Sequence, residues 1–110
     1  MKMVPTASGK RPDAMATSPA GLRTAIEIER TIKTSKRYEQ VLASYLMSLK
    51  SEQVQQVVWL SSTDDLAVHL RVIVLGIRSV MIQKQRFTVA PQKHHGRLAF
   101  LGYRQWPTPG

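Results

Sequence analysis

The stretch that most limits what this chain can fold into is Thr24-Ala25-Ile26-Glu27-Ile28-Glu29-Arg30-Thr31. On a pleated strand, successive side chains point to opposite faces, so Glu27 and Glu29 share one face and Ile26 and Ile28 the other. The chain carries 16 lysines and arginines against 7 acids. Three of those acids, Asp13, Glu27 and Glu29, fall between positions 13 and 29. Any functional account has to explain this concentration of carboxylates in a basic protein.

At 110 residues the chain is long enough for one domain with one modest core. A hydrophobic content of 43% is that of a globular protein, and no run approaches the ~18 apolar residues of a membrane span. Lys2 and Lys10 precede no apolar segment, so nothing reads as a secretory signal. The absence of cysteine excludes disulfides and thiolate metal sites and fits a reducing, cytoplasmic setting. A net charge of +9 and a pI near 10.5 favour a polyanionic partner, nucleic acid ahead of a membrane surface. Lysine and arginine cluster around positions 30–37 and 78–104.

Taken in order, residues 1–9 lack apolar periodicity and are expected to be a flexible lead-in, leaving 10–110 as a single α/β domain. Residues 10–17 suit a short strand with Pro12 at its start. Ser18-Pro19-Ala20-Gly21 is a turn signal, and a strand at about 23–31 completes a hairpin. Thr34 or Ser35 then caps a helix reaching Lys50, with Tyr38, Val41, Leu42, Tyr45, Leu46 and Leu49 as one apolar stripe. Lys36, Arg37, Gln40 and Ser44 are expected on its opposite face.

Residues 54–60, ending Val57-Val58-Trp59-Leu60, read as a strand buried on both faces, as in a parallel sheet. Ser62 or Thr63 caps a second helix whose first turn holds Asp64 and Asp65, with Leu66, Leu70, Val74 and Ile77 on its buried side. Strands are expected at 86–90 and 97–104, with Pro91 and Gly96 bracketing the turn between them. The order β-β-α-β-α-β-β predicts a mixed, largely parallel sheet flanked by helices, with an antiparallel first hairpin. In so small a core the sheet edges stay exposed, which leaves room for a homodimer.

Carboxylates at i and i+2 of a strand lie side by side, with Cα atoms ~6.5–7 Å apart. They can converge on a hard cation, and Asp13 on the neighbouring strand would complete an oxygen-rich pocket for Mg²⁺ or Mn²⁺. Three ionised carboxylates at one place need a cation or a nearby lysine or arginine. Lys33 has the parity of Glu27 and Glu29 if the strand extends that far. Spacing alone favours solvent-facing glutamates over a metal site. Core packing is the expected role of Tyr38, Tyr45, Trp59 and Trp106. His94-His95 in a polar turn and His69 on the second helix form no ligand set.

The succession Arg11-Pro12-Asp13-Ala14 followed by Ala25-Ile26-Glu27-Ile28-Glu29 resembles the Pro-Asp…(Asp/Glu)-x-Lys signature of the restriction-endonuclease-like nucleases. The run from Glu27 to Tyr45, Glu-Ile-Glu-Arg-Thr-x-Lys-x-x-x-Arg-Tyr-Glu-x-x-Leu-x-x-Tyr, is similar to the replication-relaxation family, which groups with plasmid mobilisation proteins of bacterial mobile elements. The resemblance covers residues 10–60. It implies a restriction-endonuclease-like core and metal-dependent phosphodiester hydrolysis on DNA, with Asp13 and Glu27 as ligands for Mg²⁺ or Mn²⁺.

Glu29 stands where that signature has lysine. It becomes a third metal ligand or a general base, and Lys33 becomes the displaced catalytic cation. Arg11, Lys33, Lys36 and Arg37 are the implied phosphate contacts. The family carries a winged-helix region before its nuclease-like part, whereas this sequence starts almost at Pro12-Asp13. The resemblance therefore implies a minimal core or one that works with another mobilisation or replication protein. A catalytically inactive DNA-binding or protein-interaction module is the alternative reading.

Overall fold

The computed structural model describes residues 12–105. Strands β1 (Ala14–Thr17) and β2 (Arg23–Glu29) form the expected hairpin, with Ala14 opposite Ile26 and Thr17 opposite Arg23. Its turn is closed by Gly21 N donating to Ser18 O at 2.9 Å, and Gly21 adopts φ 88°, a conformation open to glycine. Helix α1 (Ser35–Lys50) follows, capped by Thr34, whose hydroxyl accepts from Arg37 N at 3.2 Å. Strand β3 (Gln56–Ser61) then lies parallel to β2, with Glu27 beside Trp59 and Glu29 beside Ser61.

Thr63 caps helix α2 (Asp64–Leu75) through Leu66 N at 3.1 Å, with Asp64 and Asp65 in the first turn. Strands β4 (Ser79–Ile82) and β5 (Gln85–Thr88) form a separate antiparallel ribbon. A short helix α3 (Pro91–His94) and a 3-10 turn (His95–Arg97) lead into β6 (Leu98–Gly102), which pairs parallel with β3. The main sheet has the order β1-β2-β3-β6. It is a mixed α/β arrangement, parallel apart from its first hairpin.

Because the strand order advances in one direction, crossovers of the same hand place both long helices on the same face. Ala25, Val57, Trp59 and Leu98, which share a face by register, join residues of α1 and α2 in one cluster. The two long helices thus share one face of the sheet, while Ile26 and Val58 on the other face are also buried. Tyr38, Leu42, Tyr45, Leu49, Leu70 and Val74 form the helical half of that core. Trp59 lies at its centre, stacked on Phe100 with centroids 5.0 Å apart and edge-on to Tyr45 at 6.0 Å. Gly102 is a point of close approach between α2 and the sheet, since a Cβ there would run into the Asp64 carboxylate.

Three local expectations differ from the fold. Ser44 is fully buried along with Ala43 and Ser48, because α1 packs against α2 and β4 as well as against the sheet. Its buried arc is wider than one apolar stripe. Strand β4 is short, and only Gly76 and the Arg78-Ser79 pair separate its Val80-Met81-Ile82 from the apolar end of α2. The ribbon turn, Gln83-Lys84, holds no Gly or Asn although both residues have left-handed φ of 51° and 66°. Finally, Pro91 opens a helix instead of a β-turn, as proline can at a first helical position.

Replacing Trp59 by alanine should lower the unfolding free energy by ~3–5 kcal/mol, the cost of a large core cavity. Urea denaturation should show a lower midpoint with an unchanged slope.

Candidate functional site

The glutamates of β2 occupy the helix-covered face, not solvent. Glu27 is 3% exposed and Glu29 7%, whereas Ile28, on the opposite face, is 43% exposed. Carboxylates in such a position need partners, since an uncompensated buried charge is very costly. Two tyrosines of α1 reach down to them. The Tyr45 hydroxyl donates to Glu27 Oε2 at 2.7 Å. The Tyr38 hydroxyl donates to Glu29 Oε2 at 3.4 Å and accepts from the Lys33 backbone N–H at 2.9 Å. Helix and strand run in opposite directions, so the earlier tyrosine meets the later glutamate.

Lys33 completes the second pair, its Nζ lying 2.7 Å from Glu29 Oε2. It arrives by a route other than strand parity. The strand ends at Glu29, and the chain between it and α1 turns the lysine back onto the glutamate. The ammonium is nearly half exposed, and its bond to Glu29 raises its pKa. Tyr38 is also raised, chiefly by burial. Tyr45 is raised well beyond the usual phenol range by burial first, then by the charges of Glu27 and Asp13. Both phenols therefore remain donors to carboxylates throughout the physiological range.

Asp13 stands just before β1, and extending the hairpin register by one residue sets it opposite Glu27. Its Oδ2 accepts from Ile28 N at 2.8 Å, closing the β2 edge where β1 stops. Asp13 is exposed, and its charge is felt at the Tyr45 hydroxyl. Asp13 and Glu27 thus bear on one locality, while Glu29 is turned toward Lys33 and Tyr38. Among the described residues, no three acids or histidines are grouped closely enough to hold a metal ion.

Lys36 and Arg37 are exposed in the first turn of α1, which contains no acid. Cations at the positive end of a helix dipole are unfavourable unless an anion joins them. Arg11 and Trp106 lie outside the described residues. His69 is exposed, and His94 and His95 lie half-buried in α3 and the 3-10 turn, with the His94 pKa lowered by burial and then by the cations Lys93 and Arg97. Among the described residues no helix is long and apolar enough to cross a membrane. No protein-family model, curated protein or solved structure matches the chain.

Sequence reasoning placed Tyr38 and Tyr45 in the core but overlooked their hydroxyls. The available signal was a tyrosine pair seven residues apart on an otherwise aliphatic stripe, following a glutamate pair two residues apart.

Lys33, Tyr38 and Tyr45 all have raised folded-state pKa values, so their contribution to stability is complete below the unfolded values and falls as pH rises past them. Those ordinary values are 10.0 for tyrosine and 10.5 for lysine. Stability should hold through neutrality and decline from about pH 10 upward. Tyr45→Phe should cost ~1.5–3 kcal/mol at pH 7 and make the alkaline decline shallower. Denaturant midpoints measured from pH 7 to 11 check both effects.

Proposed function

We propose that this protein is a metal-dependent DNA-processing protein of a bacterial mobile element, cutting or nicking DNA by phosphodiester hydrolysis. The observation that supports this reading is the hairpin that brings Asp13 near Glu27: Asp13 caps Ile28 N, its charge is felt at the Tyr45 hydroxyl that holds Glu27, and a helix and a parallel strand follow. That succession agrees with the restriction-endonuclease-like core implied by the Pro12-Asp13 and Glu27-to-Tyr45 resemblance.

Asp13 and Glu27 would hold Mg²⁺ or Mn²⁺. Bound there, the ion would polarise the scissile phosphate and lower the pKa of a coordinated water. Tyr45 fixes the orientation of the Glu27 carboxylate, as partners of ligating carboxylates do. Lys33 stays protonated beside Glu29 and, with Lys36, offers positive charge to a phosphate undergoing attack. Lys36 and Arg37, and Arg11 from the adjoining segment, would contact flanking phosphates.

A second reading has its own support. Glu29 is committed to Lys33 and Tyr38 and stands where the nuclease signature has lysine. A core altered in this way suits a catalytically silent module that grips DNA or another mobilisation or replication protein.

Two measurements separate the readings. Calorimetric titration with Mn²⁺ should give binding heat for the wild type and none for Glu27→Ala; equal heats from both proteins would remove the metal site. In a supercoiled-plasmid nicking assay, Mg²⁺ or Mn²⁺ should support nicking that Asp13→Asn reduces by ~10²-fold or more, the scale of losing a principal catalytic group. DNA retention without nicking, unaffected by Asp13→Asn, would select the silent module.

A further inference from the structure

The β4–β5 ribbon is the element that the hydrolytic reading leaves unused. It is a two-stranded sheet separate from the main one, rooted on α1 by Val80, which is 1% exposed, while every residue of β5 is exposed. Its charge is one-sided. No Asp or Glu follows Asp65 in the sequence, so every formally charged side chain from Arg71 to Arg104 is a cation. Three of these, Arg78, Lys84 and Arg86, belong to the ribbon and its root, and all three are exposed. The two acids of α2 stand in its first turn, a helix length of ~18 Å from the ribbon root.

The ribbon's outer face consists of Ser79, Met81, Arg86 and Thr88 by register. Arg86 lies across it, its Nη1 donating to Ser79 Oγ at 2.8 Å. Met81 is half exposed beside it. Lys84 sits at the tip, in the turn. A cleft of about 370 Å³ separates the ribbon root from the start of α1, with Arg78 and Ser79 on one bank and Ser35 and Glu39 on the other. The start of α1 and the ribbon root are thus neighbours across this cleft, Arg78 and Glu39 being its charged lining residues, with Lys36 and Arg37 in the same first turn of α1 as Ser35.

We propose that the β4–β5 ribbon is a DNA-contacting arm that engages duplex phosphates through Lys84 and Arg86, alongside the Lys36–Arg37 end of α1. A two-stranded ribbon has the dimensions to lie along or within a DNA major groove. A partner with regularly spaced negative charge complements an arm that carries only cations. Arg86, held at its guanidinium by Ser79, presents remaining N–H donors to a phosphate at little cost in side-chain freedom. The inference rests on DNA being the substrate but is independent of whether the core cleaves it.

The test is fluorescence anisotropy with a labelled 25-base-pair duplex at several salt concentrations, using the full chain. Lys84→Gln/Arg86→Gln should weaken binding by tenfold or more at low salt and reduce the slope of log K against log[salt] by ~2, since each phosphate contact contributes about 0.9. Lys50→Gln/Arg71→Gln removes two exposed cations elsewhere and should leave the slope within experimental error of wild type. Equal losses in the two double variants would reduce the arm to general charge and overturn the proposal, as would an unchanged slope in the ribbon variant. If the wild type itself binds no duplex, the DNA reading fails instead. Unchanged circular dichroism and thermal midpoints establish that both variants are folded.

Discussion

Burial of two glutamates beneath a helix is the constraint on which the rest of this small protein depends. An ionised carboxylate in a protein interior survives only if its oxygens are met by donors. Among the described contacts, one helix and the loop that leads into it supply Tyr45 to Glu27, and Tyr38 and Lys33 to Glu29. These bonds fix the rotation and height of α1 over the sheet more sharply than its leucines could. Apolar packing tolerates sliding, whereas a hydroxyl 2.7 Å from a carboxylate does not. The register of α1 in turn positions its small residues Ala43, Ser44 and Ser48, which are buried where α2 and β4 close over it.

The same arrangement gives the carboxylates unequal standing. Glu29 is neutralised internally, so it serves as an anchor between strand, loop and helix. Glu27 accepts from the Tyr45 phenol, and Asp13 caps the N–H of the next residue, Ile28. The division of labour between two residues separated by one isoleucine arises from what α1 and its leading loop deliver to each.

Much of the fold was legible in the sequence. The caps Thr34 and Thr63, the Ser18–Gly21 turn, the apolar run of β3 and the order of the first five elements follow from local chemistry. What was not legible follows from tertiary context. Alternation in β2 separated the glutamates from the isoleucines, but it could not say which set faces the helices. By hydropathy Ile28 should be inside, yet it is partly exposed while both glutamates are covered. The choice depends on hydroxyls that arrive from a helix up to eighteen residues later in the chain. Likewise, β4 offers only three apolar residues after the Gly76 and Arg78-Ser79 boundary, and its turn to β5 holds no glycine to announce a hairpin.

That turn has a consequence for how the protein can be altered. Gln83 and Lys84 adopt φ of 51° and 66° without the glycine or asparagine that such angles favour, at a cost of ~1–2 kcal/mol per residue. An Asn-Gly pair would relieve the strain and tighten the ribbon, and it would also erase the cation at its tip. Robustness and surface charge compete for the same two positions, so a more heat-resistant version of this chain is most easily reached by giving up the outermost lysine.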